Sequence, residues 1–313
     1  MMTQVAIIGA GPAGIATAIQ LKRYHIEFIL FEADQPGGLL KNAHYIENYP
    51  GFPRGITGSQ LVSLMEEHLD SYGIMPIFKS VEMLEYLETP GKGSAFRLTV
   101  PGDVFYAERV VAASGTKPCT LEPLEILLPA LKEFVFYEVY PVAGERGKRF
   151  LIIGAGDAAF DYALNLSSGN DVVVVNRGEQ IKALPLLRER VEASARIRYM
   201  ENTAVESVDR GVRKVLSVLL SKSNESIVEE FDFVIGAVGR EPRRDFYALQ
   251  LRETLETLKA LRLFYEVGDV VSGRFRQASI ASGSGICAAM EIAAVISGVL
   301  LDSDSSAKTR SLL

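Results

Sequence analysis

One local pattern is written twice in this chain, and the repeat limits the folds open to it. The run from Val5 to Gly14 (VAIIGAGPAG) is apolar, then glycine-rich, and passes into a helical pattern through Leu21. The run from Phe150 to Ala159 (FLIIGAGDAA) does the same and passes into a helical pattern over Phe160 to Leu166. A second apolar run follows each, Phe28 to Phe31 and Val172 to Val175. Apolar strand, glycine turn, helix and apolar strand are the order of a βαβ unit, so two parallel-sheet lobes are predicted. The copies also close alike: the strands beginning at Val110 and Val234 end in a Gly-x-x-Pro break, Gly115 to Pro118 and Gly239 to Pro242. Between opening and closing, turn-broken stretches of period two over Ile77 to Tyr106 and Arg198 to Phe233 predict a small antiparallel meander inserted in each lobe. The chain after Pro242 reaches Gly268-Asp269 and a helical pattern from Ser282, and is expected to return to the first lobe. The predicted fold is therefore α/β, with two Rossmann-like dinucleotide-binding lobes. The first lobe is discontinuous (1–117 and 243–313), the second is inserted (118–242), and a hinge is expected at the two Gly-x-x-Pro breaks.

The chemistry of the two glycine loops differs. In the first, Gly9 permits a tight turn and Gly11 lets backbone N–H groups approach a pyrophosphate at a helix N-terminus, with Pro12 and Ala13 opening the helix. Gly14 permits close helix–strand packing. Glu32, at the end of the second strand, is placed to accept from ribose hydroxyls. Together they form a site for the adenosine diphosphate part of FAD. In the second copy Gly154 and Gly156 are kept, Asp157 and Ala158 follow, and Ala159 replaces the third glycine. The strand then ends in Asn176-Arg177-Gly178 without a carboxylate. The ribose anchor expected for NAD is missing and Arg177 suits a 2'-phosphate, which favours NADP; the alternative is a decayed site with Arg177 as a solvated surface residue.

A net charge of −6 argues against non-specific binding to nucleic acid or an anionic membrane surface. Cys119 and Cys287 form neither a CxxC nor a metal cluster, and a reducing cytoplasm is the expected location. His25, His44 and His68 are scattered, so no metal is indicated. Four residues before the first apolar run leave no room for a signal peptide. The run from Ile286 to Leu301 contains Glu291, falls short of the roughly 20 residues that span a bilayer, and is read as a buried helix with Cys287 as apolar filler. The Ser-rich tail from Asp302 is expected to fray.

With these residues placed, the chain resembles the low-molecular-weight thioredoxin reductases and the thioredoxin-reductase-like ferredoxin-NADP reductases over nearly its whole length. The resemblance includes Gly37-Gly38-Leu39, where the family usually has Gly-Gly-Gln, and the segment Glu47 to Gly51 with Asn48. It extends to Gly115 at the strand end, Gly268-Asp269, and Arg276-Gln277-Ala278. It implies that Gly268 and Asp269 meet the ribityl and phosphate part of FAD. It also implies that Arg276, Gln277 and Ala278 lie at the flavin ring on a helix N-terminus, where the dipole stabilises the anionic reduced flavin. Gly38, Leu39, Asn48 and Gly115 join that FAD set, Gly239 the NADP set, and a homodimer is implied.

Departures from the pattern carry the functional reading. Thioredoxin reductases place Cys-x-x-Cys 17 residues before the first glycine of the second loop, and here that position holds Tyr137 to Tyr140 without a cysteine. Thiol–disulfide exchange is then closed to the flavin, so thioredoxin reduction should be absent. The wording around Gly156 to Leu166 resembles the ferredoxin-NADP reductase branch. Where the family usually carries His-Arg-Arg, this chain has Asn176 to Gly178, and the stretch between Pro242 and Gly268 has few of the usual signals. The expected reaction is hydride transfer between NAD(P)H and flavin, then electron transfer to ferredoxin or flavodoxin, with a small quinone or disulfide-free metabolite behind. No side-chain acid, base or nucleophile is required for the first step. Two rivals stay open: a flavoenzyme that has lost pyridine nucleotide and is fed by a reduced carrier protein, and a non-enzymatic flavoprotein. Tyr49 can stack on the flavin or simply pack. Arg240, Arg243 and Arg244 form a basic knot that could dock an acidic carrier or be a solvated cluster.

Overall fold

The computed structural model describes residues 2–89, 93–125, 129–222 and 225–299, so the Ser-rich tail from Asp302 lies outside the described residues. The first half runs β1 (Met2–Ile8), α1 (Pro12–Arg23), β2 (Phe28–Glu32), α2 (Gly58–Ser71), β3 (Ile77–Phe78), β4 (Met83–Thr89), β5 (Gly93–Val100), β6 (Asp103–Ala112) and β7 (Thr116–Pro118). The second runs α3 (Glu122–Glu125), β8 (Val135–Phe136), β9 (Arg149–Ile153), α4 (Asp157–Ser167), β10 (Asp171–Val175), α5 (Pro185–Glu192), β11 (Ile197–Met200), β12 (Thr203–Arg210), β13 (Leu216–Lys222), β14 (Glu225–Phe231), β15 (Phe233–Gly236) and β16 (Arg240–Pro242). The return consists of α6 (Leu249–Ala260), β17 (Phe264–Glu266) and α7 (Ala278–Ile296).

Two sheets result. One has the order β3-β2-β1-β6-β5-β4 with β17 also on β6, and the other has the order β11-β10-β9-β15-β8. Strands β1 and β9 pair in parallel on both sides and are buried on both faces, which is why they read as unbroken apolar runs. The chain after Pro242 does return, because β17 adds in parallel to β6 at Val110 to Ala112. The two Gly-x-x-Pro breaks become β7 and β16, which pair antiparallel with each other and form the only ribbon between the sheets among the described strands.

Two expectations need correction. The second meander is separate, β12-β13-β14, but the first is not an insert. Its last strand, β6, pairs with β5 along its first half and continues into the parallel sheet along its second, so period-two patterning gives way to burial on both faces within one strand. Helix α7 begins earlier than the pattern suggested and is only half buried. Ala281, Gly285, Ala288, Ala289 and Ile292 pack inward while Ile280, Ile286, Cys287 and Met290 are exposed, so Cys287 is not a core filler. By length and composition alone α7 could cross a membrane; its inner face lies on α1. Contact there is close, for a Cβ on Gly285 would collide with the Ala13 carbonyl, and Thr17 Oγ1 donates to the carbonyls of Ala13 (2.8 Å) and Gly285 (3.1 Å).

Candidate functional site: an interlobe dinucleotide cavity

The α1–α7 packing sets two helix N-termini beside one cavity of about 700 Å³ between the lobes. Of the residues expected to meet FAD, Gly9, Gly11, Pro12, Ala13, Glu32, Gly38, Leu39, Asn48, Gly115, Asp269, Arg276, Gln277 and Ala278 line it. Gly14 and Gly268 do not, and their glycine requirement is steric. A Cβ on Gly14 would collide with the Gly9 carbonyl, and one on Gly268 (φ +73°) would lie 2.8 Å from Ala13 Cβ.

Gly11 differs from both. Its backbone is extended, and an added Cβ would meet no protein atom within 4 Å. Protein packing does not require a glycine there; a group occupying the cavity would. No side chain caps α1, so its first-turn N–H groups are free to meet an anion. Arg276 Nε is buried without a partner among the described residues, the kind of orphan a bound acceptor satisfies. These three observations fit a dinucleotide. Glu32 has a second task, because its carboxylate accepts from the backbone N–H of Ala10 (2.7 Å) and Asp34 (3.1 Å) and so fixes the glycine loop beside the cavity. Asn48 Nδ2 donates to Gln277 Oε1 (2.7 Å), tying its loop to the α7 N-cap. Tyr49 is not at the cavity; it packs with Ile46, Ile56 and Leu61, so packing is the reading that stands.

The second glycine loop copies this division of labour. Gly154 (φ +137°) crosses the Ala237 carbonyl too closely for a Cβ, whereas a Cβ on Gly156 would meet nothing within 4 Å. Helix α4 also lacks a side-chain cap. Asp157 and Ala158 line the cavity, and Asp157 Oδ1 accepts from Leu184 N–H (2.7 Å), pinning the following loop. Asn176 is occupied internally: Nδ2 donates to Gln180 O (3.2 Å) and Tyr199 Oη (3.0 Å), and Oδ1 accepts from Gly178 N–H (3.3 Å). That loop leaves Arg177 exposed and without a side-chain partner among the described residues. Lys182, missed in the sequence, is exposed and free in the same sense, and its backbone N–H donates to Ala155 O (2.8 Å) within the glycine loop. Gly239 (φ +120°) serves the connecting ribbon, accepting from Cys119 N–H (3.0 Å).

Sequence reasoning also missed the polar seam joining the lobes. Asn42, nearly fully buried, accepts from Tyr140 N–H (3.0 Å) and donates to Glu138 Oε2 (3.2 Å). Arg240 donates to Glu138 Oε1 (3.2 Å) and to Thr116 Oγ1 (2.9 Å). Asp161 Oδ2 accepts from His44 N–H (2.8 Å), and Arg190 pairs in bidentate fashion with Glu47 (2.6 and 3.0 Å), which holds that carboxyl below its usual range. The segment Tyr137 to Tyr140 is thus a fixed part of the seam, with the Glu138 carboxylate at the cavity wall. The basic knot is corrected in turn. Arg244 is bound to Glu266 (2.6 and 3.0 Å) and Arg240 to the seam, so only Arg243 remains exposed, at the cavity. A buried carboxylate, Glu266, pairs with Arg244 and a half-buried one, Glu138, with Arg240.

The family model for pyridine nucleotide-disulphide oxidoreductases matches residues 3–285. A bifunctional thioredoxin reductase/thioredoxin of Mycobacterium leprae is 30% identical over 309 residues, 92% of this chain and 64% of that protein, so the chain spans under two thirds of that relative. Thioredoxin reductase of Mycolicibacterium smegmatis is 27% identical over 310 residues, covering 92% of this chain and 94% of its own. The crystal structure of Lactococcus lactis thioredoxin reductase in its FR conformation superposes with a TM-score of 0.79 at 26% identity, covering 93% of this chain and 97% of that one.

Proposed function

The chain belongs to the pyridine nucleotide-disulphide oxidoreductase family, and from that membership we propose that it carries electrons from NADPH through FAD to an acceptor that is not a protein disulfide. It is a thioredoxin reductase-like flavoprotein oxidoreductase, with FAD and NADP(H) as its cofactors. FAD, when bound, would supply the two-electron redox chemistry. The chain's own residues bind, orient and polarise. The open N-terminus of α1 at Gly11 would hold the pyrophosphate and Glu32 the adenosine ribose. The N-terminus of α7 at Gln277 and Ala278 would stabilise negative charge on the ring. In the second lobe, Gly156 and the α4 N-terminus would take the NADPH pyrophosphate, while Arg177 and Lys182 would take the 2'-phosphate.

The observation that carries the choice of acceptor is the segment Tyr137 to Tyr140, which has no thiol and is bound to Asn42 through Tyr140 and Glu138. Without a thiolate, exchange with a protein disulfide has no first step. Ferredoxin or flavodoxin is the first choice because each takes electrons without a thiol intermediate, and Arg243 offers a free cation at the cavity rim. A cytoplasmic homodimer, with a domain boundary at the β7–β16 ribbon, completes the reading. The experiment is anaerobic: NADPH should bleach the flavin band, and added oxidised ferredoxin or flavodoxin should restore it. Bleaching by reduced ferredoxin but by neither NADPH nor NADH would replace this reading with one in which the second lobe has lost its nucleotide. Sedimentation velocity tests the dimer.

A further inference from the structure

The turn between Gly268 and the N-terminus of α7 carries an exposed patch outside the dinucleotide cavity. Val271 and Phe275 are 51% and 63% exposed, and Arg274 stands over the Phe275 ring, its guanidinium carbon 5.0 Å from the centroid. Lone exposed apolar residues are ordinary, but these two share one short turn that is held in shape. The N–H groups of Val271 and Ser272 both donate to Gly268 O (3.1 Å each), Ser272 Oγ donates to the same carbonyl (2.8 Å), and Phe275 N–H donates to Ser272 O (2.9 Å). A turn fixed in this way presents its side chains to a partner at little ordering cost.

Position and charge restrict that partner. Arg276 Nη1 donates to Arg240 O (3.1 Å), which ties the turn to β16. Just beyond β16 comes Arg243, exposed at the cavity rim and without a side-chain partner among the described residues. Arg274 likewise meets no carboxylate among the described residues. Three residues of chain span at most about 11 Å, so the Arg274 backbone lies within that distance of Gln277 on the cavity wall, and the Arg243 backbone within it of Arg240. From Val270 to Ala278 the sequence holds two arginines and no acid, on a chain of net charge −6. Nearby carboxylates are engaged: Glu241 pairs with Lys117 (3.4 Å) and Glu266 with Arg244, while Asp269 lines the cavity, leaving Asp245 as the exposed acid of the connection from β16 to α6. Aromatic and arginine side chains carry most of the energy of protein interfaces, and unpaired cations select an acidic partner. We propose that Val271, Arg274, Phe275 and Arg243 form the docking surface for an acidic electron-carrier protein, seated over the end of the cavity at the α7 N-terminus. The inference rests on the reading in which electrons leave the flavin for such a carrier.

The test compares flavin-loaded wild type with Arg274→Glu, Phe275→Ala and Arg243→Glu. NADPH is the donor, and the acceptor is menadione or whichever of oxidised ferredoxin and flavodoxin the wild type reduces. Each substitution should raise the KM for the protein carrier, by about tenfold for the charge reversals and about threefold for Phe275→Ala. Arg274→Glu and Phe275→Ala should leave menadione reduction and flavin bleaching by NADPH within about twofold of wild type, because a small quinone needs no docking surface. Added salt should raise the wild-type KM for the carrier more than that of Arg274→Glu. Hydrogen exchange of the wild type needs no variant: the bound carrier should slow exchange at residues 271–276. Carrier KM values within about twofold of wild type overturn the proposal, and so does carrier binding without protection of this turn. A lower sedimentation coefficient for Phe275→Ala would overturn it too, since the patch would then join two copies of this chain. Reduction of menadione but of neither carrier by the wild type would overturn the acceptor reading and the docking surface with it. If NADPH does not bleach the flavin, the donor reading fails alone, and the same comparison is run with the reduced carrier as the electron source.

Discussion

Gly11 and Gly14 stand three residues apart and answer different demands, which two substitutions can separate. Gly11→Val adds its side chain to cavity space without a clash in the protein, so the variant should match FAD-stripped wild type in melting temperature and circular dichroism and be purified with little FAD. Gly14→Ala drives a methyl into the Gly9 carbonyl, so it should lose about 3 kcal/mol or fail to fold, as overpacking against backbone does. A fully flavinated Gly11→Val protein would show the loop to be structural only. For the donor, Arg177→Ala should raise the KM for NADPH about three- to tenfold and leave that for NADH unchanged, because only an exposed, salt-sensitive phosphate contact is removed. Lys182→Ala should repeat the pattern more weakly. Equal losses with both nucleotides would assign Arg177 a structural task. Arg177 was legible because the strand end is fixed by the βαβ pattern; Lys182 was not, since only the folded loop lays it against Ala155.

At the scale of elements, the segment between β16 and α7 depends on one carboxylate. Glu266, at the end of β17, is 1% exposed and accepts from Arg244, from Lys259 of α6 (2.9 Å) and from Tyr247 Oη (3.2 Å). Burial alone would raise its pKa, but the two cations outweigh that and hold it below the ordinary value. A carboxyl depressed in the folded state contributes stability above its unfolded pKa and loses it as pH falls through the folded one. Glu266→Gln should therefore cost about 1–3 kcal/mol at pH 7, both cations being partly solvated. The gap to wild type should narrow below about pH 4, as read from urea midpoints across pH. A gap that does not change with pH would mean the carboxylate's charge is not what stabilises this corner. The sequence between Pro242 and Gly268 looked poor in signals because its order comes from ion pairs across elements, and periodicity does not record those.

For the whole molecule, the lobes meet through the seam of Asn42, Glu138, Arg240, Asp161 and the Arg190–Glu47 pair, and none of these residues is a thiol. Cys119 lies beside the connecting ribbon and Cys287 on the outer face of α7, on elements with no shared role at the cavity. Thioredoxin should therefore not be reduced with any donor. A Cys119→Ser, Cys287→Ser double variant should show flavin reduction rates within about twofold of wild type, there being no thiol step to lose. Robust insulin-coupled thioredoxin reduction by the wild type would refute this.

The sequence by itself determined the two glycine loops, the strands that feed them and the order of the lobes. Those features are written in consecutive residues: a turn that needs positive φ, a helix start without a side-chain cap, and strands buried on both faces. Only the tertiary structure decided which charges are free, which face of α7 is buried and where the first meander ends. Each of these depends on a partner brought from far along the chain: Glu138 to Arg240, Ala13 to Gly285, β17 to β6. An arginine reads the same in sequence whether it faces water or a carboxylate a hundred residues away, and desolvation and pairing settle the difference only once the lobes close.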